Sequence, residues 1–255
     1  MELRVLGCHG GESPRHRATS FLIDEKLAVD AGALTSRLEL AAQGSLETVL
    51  VTHSHLDHVR DLATLVDNRC QMGLPPLTIC ATRATIENLQ RHFFNDRLWP
   101  DFTRIPAASE PSIVYREIEL ETPFALGRHR VTAVPVSHTV DTCGYLIDDG
   151  TNALVISGDT GPTDRIFEVV NDTPHVRALL LEVSFPNTMQ HLATASGHHT
   201  PETLAADLRK LHAAADVPTM LYHMKPPCQA EIERECSKLA GLNLHVLKLD
   251  DHFTF

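Results

Sequence analysis

From Thr52 to His58 the chain reads Thr-His-Ser-His-Leu-Asp-His, which crowds His53, His55, Asp57 and His58 into one short stretch. Imidazole and carboxylate are good donors for divalent cations where no thiolate is offered. The apolar run Thr48-Val49-Leu50-Val51 leads directly into the cluster and reads as a short buried strand. On extended backbone, residues two apart face the same way, so His53 and His55 can grip one ion together. Asp57 and His58 stand where the chain must turn and can reach a second ion. Their types and spacing point to a metal centre rather than a solvated histidine-rich turn.

Three further donors follow strand-like segments. His138 comes after Val131–Ser137, Asp159 after Ala153–Gly158, and His223 after Thr219–Tyr222. Ligand sites in α/β proteins gather at the carboxyl ends of strands, so all three can share a rim with His53–His58. A lone histidine after a strand is usually a polar cap, but the ordered set favours ligation.

A second block pairs Glu182-Val183-Ser184-Phe185-Pro186-Asn187 with Gly197-His198-His199-Thr200-Pro201-Glu202. Thr200 suits an N-cap and Pro201 a first helical turn, so a helix starts beside His198. Free backbone N–H groups at that terminus are expected to attract an anion. His198 can touch a substrate oxygen, and Glu182 can hold it protonated. Phosphodiester cleavage needs such a proton because an alkoxide otherwise leaves poorly. The plainer alternative is two solvated loop histidines.

The segment His92–Phe102 holds the only Trp, Trp99, and three of the nine Phe residues, and Pro100 prevents it from being one helix. By composition it reads as a hydrophobic clamp before it reads as a wall for a planar ligand. Cys8-His9-Gly10-Gly11 ends the first strand with permissive glycines, fitting either a tight turn or a close approach to the site. His16 and His92 join no constellation.

These residues need elements to carry them. Strands are expected at Glu2–Leu6, Thr19–Ile23, Leu27–Asp30, Thr48–Thr52, Leu77–Cys80, Ile113–Leu120, Arg130–Val136 and Cys143–Ile147. Others are expected at Ala153–Ser157, Ala178–Glu182, Thr219–Tyr222 and Leu244–Leu247. Helical spacing marks Asp57–Cys70, Thr82 to about Asn95, Pro162–Val170, Pro201–Ala214 and Gln229–Leu239. This alternation is α/β, with helices covering sheets. With no repeat, low-complexity tract or linker in 255 residues, one domain is expected over residues 1–255.

Hydrophobic residues at 43% and charged residues at 22% are ordinary for a globular chain. The apolar runs are too short for a membrane span, and Met1–Leu6 has no secretory pattern, so a cytoplasmic protein is expected. Six scattered cysteines without a Cys-x-x-Cys pair read as core thiols in a reducing compartment. A formal charge of −11 disfavours broad adhesion to nucleic acid but not a small anion drawn in by metal.

The order HxHxDH, His138, Asp159, His223 resembles the metallo-β-lactamase superfamily over nearly the whole chain. That resemblance implies an αββα sandwich with a helical, aromatic insertion near residues 82–110 and two divalent metal ions at one edge. His53, His55 and His138 would hold the first ion, Asp57, His58 and His223 the second, with Asp159 bridging. The donor set suits Zn2+, with Mn2+ or Fe2+ as alternatives. Two ions roughly 3.5–4 Å apart can activate water and polarise a phosphoryl oxygen.

The blocks at Glu182 and His198, the insertion His92–Phe102 and His223-Met224-Lys225-Pro226 are similar to the class II cyclic-nucleotide phosphodiesterases. The similarity implies hydrolysis of a nucleoside 3′,5′-cyclic phosphate, cAMP or cGMP, to the 5′-monophosphate. Asp57 would orient the nucleophile, and His198, supported by Glu182, would contact the substrate and protonate the departing oxygen. Asn95 and Trp99 would line the nucleotide pocket, and the chain would form a homodimer. The family signature has a small residue where this chain has Asp61, and a Ser where it has Thr64–Asn68. Those departures leave the donors intact and bear on the choice of nucleotide.

Two enzymatic rivals use the same scaffold. A ribonuclease Z-like tRNA 3′-end endonuclease would need a tRNA-gripping arm and a basic surface. Thioester or β-lactam hydrolysis would not need the His198 block. A metal-binding scaffold without activity fits poorly with a complete donor set.

Overall fold

In β1 (Glu2–Gly7), Leu3 and Val5 face one way and Leu6 the other, and all three are buried. A strand with apolar side chains on both faces belongs to a sheet covered on both sides. The computed structural model, which describes residues 1–214 and 216–255, repeats this pattern through most of its central strands.

The first half of the chain supplies β2 (Ser20–Ile23), β3 (Leu27–Val29), β4 (Thr48–Leu50) and β5 (Leu77–Ala81). A short ribbon, β6 (Pro106–Ala107) and β7 (Glu110–Pro111), precedes β8 (Ile113–Glu117). The second half supplies β9 (Phe124–Leu126), β10 (His129–Pro135), β11 (Cys143–Asp148) and β12 (Ala153–Ile156). It continues with β13 (Val176–Glu182), β14 (Thr219–Tyr222), β15 (Leu244–Val246) and β16 (His252–Thr254).

Two seven-stranded sheets result, in the orders β16-β1-β2-β3-β4-β5-β8 and β15-β14-β13-β12-β11-β10-β9. Each is antiparallel toward one edge and parallel through its last four strands, β3-β4-β5-β8 and β12-β13-β14-β15.

Between the sheets lies one apolar layer that includes Phe21, Val29, Leu50, Tyr145, Ile156 and Tyr222. Phe21 and Tyr222 meet edge to face across it at 5.2 Å between ring centroids. The outer face of the first sheet is covered by α1 (Leu34–Arg37), α2 (Leu40–Ser45), α3 (Leu56–Val59), α4 (Leu62–Gln71) and α5 (Arg83–Asn88). Packed against the second are α6 (Arg165–Asp172), α7 (Gln190–Ser196), α8 (Pro201–Leu208) and α9 (Gln229–Cys236). This is the αββα sandwich that the resemblance implied. Burying each large apolar side chain in these layers contributes roughly 1.5–3 kcal/mol before chain entropy is subtracted.

The sheets are stitched at one end. Tyr145 Oη donates to the Val51 carbonyl at 2.7 Å, and the Cys143 N–H donates to the Thr52 carbonyl at 3.1 Å. The second sheet thus holds the chain just before His53 in place.

Several expected helices are shorter or interrupted. The segment Asp57–Cys70 breaks between α3 and α4 because the His58 carbonyl accepts from Ala31 N–H and Asp61 N–H donates back to Ala31. The Asp61 carboxylate then accepts from the Thr35 N–H and hydroxyl at 2.8 and 2.9 Å, tying α1 to the His53–His58 loop. The expected helix from Thr82 ends α5 at Asn88 and continues as a π-turn over Leu89–Phe93, where Phe94 N–H reaches the Leu89 carbonyl at 2.8 Å. The helix from Pro201 stops at Leu208 rather than Ala214. Among the described residues no helix is long and apolar enough to cross a membrane.

Candidate metal centre

Each donor stands at or just past the carboxyl end of a strand. His53–His58 follow β4, His138 follows β10, Asp159 follows β12, Glu182 closes β13 and His223 follows β14. Parallel registry, with Leu50 beside Val29 and Glu182 beside Tyr222, brings these ends to one edge of the sandwich. One donor atom from each of His53, His55, His138 and Asp159 lies within 4.8 Å of the others, and the same holds for Asp57, His58 and His223. Asp159 sits between the sets: Oδ1 is 3.3 Å from both His58 Nε2 and His223 Nε2, and Oδ2 is 3.7 Å from His53 Nε2.

The outward nitrogens fix which lone pairs face inward. His58 Nδ1 is 2.7 Å from Asp30 Oδ2, and His138 Nδ1 is 2.9 Å from the Gly197 carbonyl. A carboxylate and a carbonyl can only accept, so both nitrogens carry protons. Thr52 Oγ1 donates to Asp30 and so accepts from His53 Nδ1 at 3.0 Å. Ser184 Oγ donates to Glu182 Oε2 at 2.9 Å and accepts from His223 Nδ1 at 2.8 Å. Each of these four rings therefore turns an unprotonated Nε2 toward the middle. Such outer partners set tautomer and orientation in metal centres.

The interior fits a cation. His58 Nε2 and His223 Nε2 face each other at 3.3 Å, although neither carries a proton in these tautomers. His53 Nε2 and Asp159 Oδ1 are buried without a hydrogen-bond partner among the described residues. Burying such groups unpaired is costly, and a divalent ion in each donor set would satisfy them. Electrostatics agree. Burial alone would lower the His58 imidazole, but Asp159 and Asp30 outweigh it and push it well up, so the field at this point favours positive charge. Burial would raise Asp57, yet the adjacent His223 and His58 imidazoles outweigh it and hold it low. The donors are nitrogen and oxygen alone, which fits a divalent metal.

His198 completes the edge. Its Nδ1 is 2.8 Å from Glu182 Oε1, and its ring stacks on His223 with centroids 5.4 Å apart. A donor atom of His198 lies within 4.8 Å of donors on Asp159 and His223. Burial would lower this imidazole, but the Glu182 charge and hydrogen bond prevail and raise it. Glu182 also accepts from Thr160 N–H at 3.1 Å. His199 points away instead, with Nδ1 3.0 Å from Thr203 Oγ1.

The expected anion-attracting helix terminus is closed. Thr200 and Thr203 form a reciprocal capping box, Asn187 Oδ1 accepts the Glu202 N–H at 2.8 Å, and Pro201 has no N–H. Asn95 and Trp99 are not part of the donor cluster. Asn95 Oδ1 accepts from the Arg97 and Leu98 N–H groups, its Nδ2 donates to the Arg91 carbonyl, and Trp99 packs on the outer core of the first sheet.

Four supporting residues were not singled out by sequence reasoning: Asp30, Thr52, Ser184 and Lys225. Asp30 ends a strand as Asp159 nearly does, and that repeated signal could have found it. Lys225 is half-buried with no ion-pair or hydrogen-bond partner for its ammonium among the described residues, and its charge acts on His198.

A family model described as beta-lactamase superfamily domain matches residues 22–224. The chain belongs to that superfamily. A relative from Yersinia pestis, described as a probable 3′,5′-cyclic-nucleotide phosphodiesterase, is 28% identical over 284 residues, covering 89% of this chain and 79% of the relative. The structure of unliganded yeast PDE1 has a TM-score of 0.82 at 19% identity, covering 98% of both chains. Human tRNase Z, short form, has a TM-score of 0.71 at 16% identity, covering 100% of this chain and 99% of the other. Such structural likenesses establish a shared fold. Superfamily membership together with the histidine–carboxylate cluster marks a metal-dependent hydrolase.

Proposed function

We propose that the protein hydrolyses a nucleoside 3′,5′-cyclic phosphate, cAMP or cGMP, to the 5′-monophosphate. His53, His55 and His138 would hold one divalent ion and Asp57, His58 and His223 the other, with Asp159 within reach of both sets; Zn2+ would suit these donors. Bound there, such ions would supply a lowered pKa for water and charge stabilisation for phosphoryl oxygens.

The observation that carries this reading is the buried Glu182–His198 pair standing against the double donor set. With Nδ1 bonded to Glu182, the imidazolium has its Nε2 proton free to give. As water adds to phosphorus and loses one proton to solvent, the P–O3′ bond breaks and the 3′ oxygen takes the His198 proton, leaving a neutral imidazole that solvent then reprotonates. A ribose oxygen is a poor leaving group, so this is where an acid matters most. Thioester hydrolysis has no such need. The Asp57 carboxylate, held ionised, accepts a hydrogen bond from the incoming water and orients it. The Lys225 ammonium adds positive potential beside His198 for an anionic substrate. The relative from Yersinia pestis supports the choice of substrate class. Six free cysteines fit a reducing compartment, from which a cytoplasmic nucleotide would be drawn.

Elemental analysis, run with a panel of cAMP, cGMP, precursor tRNA and a thioester, tests the reading. Two divalent ions per chain and conversion of a cyclic nucleotide to its 5′-monophosphate are expected. Fully loaded protein that cleaves only precursor tRNA, or only the thioester, overturns it.

A further inference from the structure

At the end of the sandwich opposite the metal edge, the layer between the sheets opens into a cavity of about 390 Å³. Thr48 begins β4 and His129 begins β10, the strands whose far ends lead to His53 and His138. Thr48 shares a face with Leu50, and His129 shares one with Val131 and Ala133, so both side chains point between the sheets. There they line the cavity together with Leu27 and Leu126. Leu126 pairs with His129 across the tight turn at Gly127 and Arg128, which fixes one wall.

Two polar groups in this lining are incompletely used. Thr48 and His129 are each more than nine-tenths buried, at 8% and 6% exposure. His129 Nε2 lies 2.7 Å from Asp24 Oδ2, and a carboxylate only accepts, so this nitrogen holds the proton and Nδ1 of the neutral ring is an acceptor. Neither that Nδ1 nor Thr48 Oγ1 has a hydrogen-bond partner among the described residues. The charges at the rim are already matched, Lys26 with Glu47 at 2.6 Å and Arg128 with Asp24 at 2.7 Å. A neutral rim over leucine walls disfavours an ion as occupant.

We infer that this cavity is a second binding site, for a small uncharged planar molecule whose edge carries an N–H donor beside a carbonyl, as a cyclic amide does. The N–H would donate to His129 Nδ1, the carbonyl would accept from Thr48 Oγ1, and the ring faces would pack on Leu27 and Leu126. Such an edge satisfies the two groups that a purely apolar occupant would leave unpaired. The volume lies at the small end of ligand pockets, roughly 300–1,000 Å³, which suits one or two fused rings. The site is separate from the donor cluster, and its occupancy does not depend on the reaction proposed there.

The test titrates the metal-loaded full chain with oxindole, a neutral bicyclic lactam, and with 1-methyloxindole, which lacks the N–H, while amide NMR signals are followed. Oxindole is expected to shift the signals of Leu27, Thr48 and Leu126–His129 saturably, and the methylated compound to bind roughly five- to tenfold more weakly. Thr48→Val, which keeps the shape and drops the hydroxyl, should weaken oxindole by a similar factor, and Leu126→Trp should fill the cavity and abolish binding. The absence of a saturable shift leaves the cavity to solvent and overturns the assignment. Equal affinity for the two compounds, or shifts centred on the metal edge, also overturns it. Should Leu126→Trp fail to fold, Thr48→Val decides alone: an unchanged affinity for oxindole sinks the site.

Discussion

Asp30 governs His58 through a 2.7 Å bond to Nδ1, and through Thr52 Oγ1 it also governs His53. One buried carboxylate therefore sets the tautomer of a histidine in each donor set. Removing its charge should weaken both at once.

Asp30→Asn is expected to lower metal affinity by about 10–100-fold, the usual effect of losing an outer partner. Titration against a competing chelator reads this directly, and activity should recover in part with excess metal. Wild-type affinity in a folded Asp30→Asn protein would remove Asp30 from the control of tautomer.

His198→Ala should reduce kcat on a cyclic nucleotide by about 10²–10⁴-fold with metal content unchanged. On bis(p-nitrophenyl) phosphate the loss should be far smaller, because that leaving group departs without a proton. Glu182→Gln should follow the same pattern more mildly, since the amide still accepts from His198 but no longer stabilises the imidazolium. Equal losses on both substrates would argue against proton donation.

Gly10 lies against the last histidine. A Cβ there would fall 2.5 Å from the His223 carbonyl and 2.9 Å from its ring. Gly10→Ala should displace His223 and lower activity by about a hundredfold, the scale on which a misplacement near 1 Å acts. The metal-to-protein ratio should fall with it, while the thermal transition stays cooperative. Retained activity would mean that the loop moves aside instead.

Far from the metal edge, Asp24 accepts from the Glu2 N–H at 2.8 Å and from His129 and Arg128, each at 2.7 Å. Burial pushes this carboxyl up, but those partners prevail and hold it below its ordinary range. Its folded pKa is thus lower than its unfolded one, so its contribution to stability is present above the unfolded value, about 3.9, and disappears as pH falls through the depressed one. Asp24→Asn should be less stable than wild type at pH 6, and the difference should shrink on acidification below about pH 4. Denaturant melts across that range measure it; a constant gap would assign the effect to packing.

Much of this architecture is legible in the sequence. The apolar faces of the central strands and the donors after β4, β10, β12 and β14 follow from period and position. What escaped was set by tertiary contacts. The break after α3 depends on Ala31 bonding both His58 and Asp61, and no local propensity announces that. The helices α1 and α2 and the edge strand β16 are too short for a periodic signal. The capping box at Thr200 could have been read from Thr203 three residues on, and with it the closure of that helix end. The bonds that Asn95 Oδ1 accepts from the Arg97 and Leu98 N–H groups likewise arise only once the loop has folded.

Ownership of the seven donors is divided: His53, His55, Asp57 and His58 extend from the first sheet, and His138, Asp159 and His223 from the second. Ions held among them would rivet the two halves of the sandwich across their seam. Demetallation should then loosen the molecule mechanically as well as silence it, with the melting temperature dropping in step with the ions withdrawn.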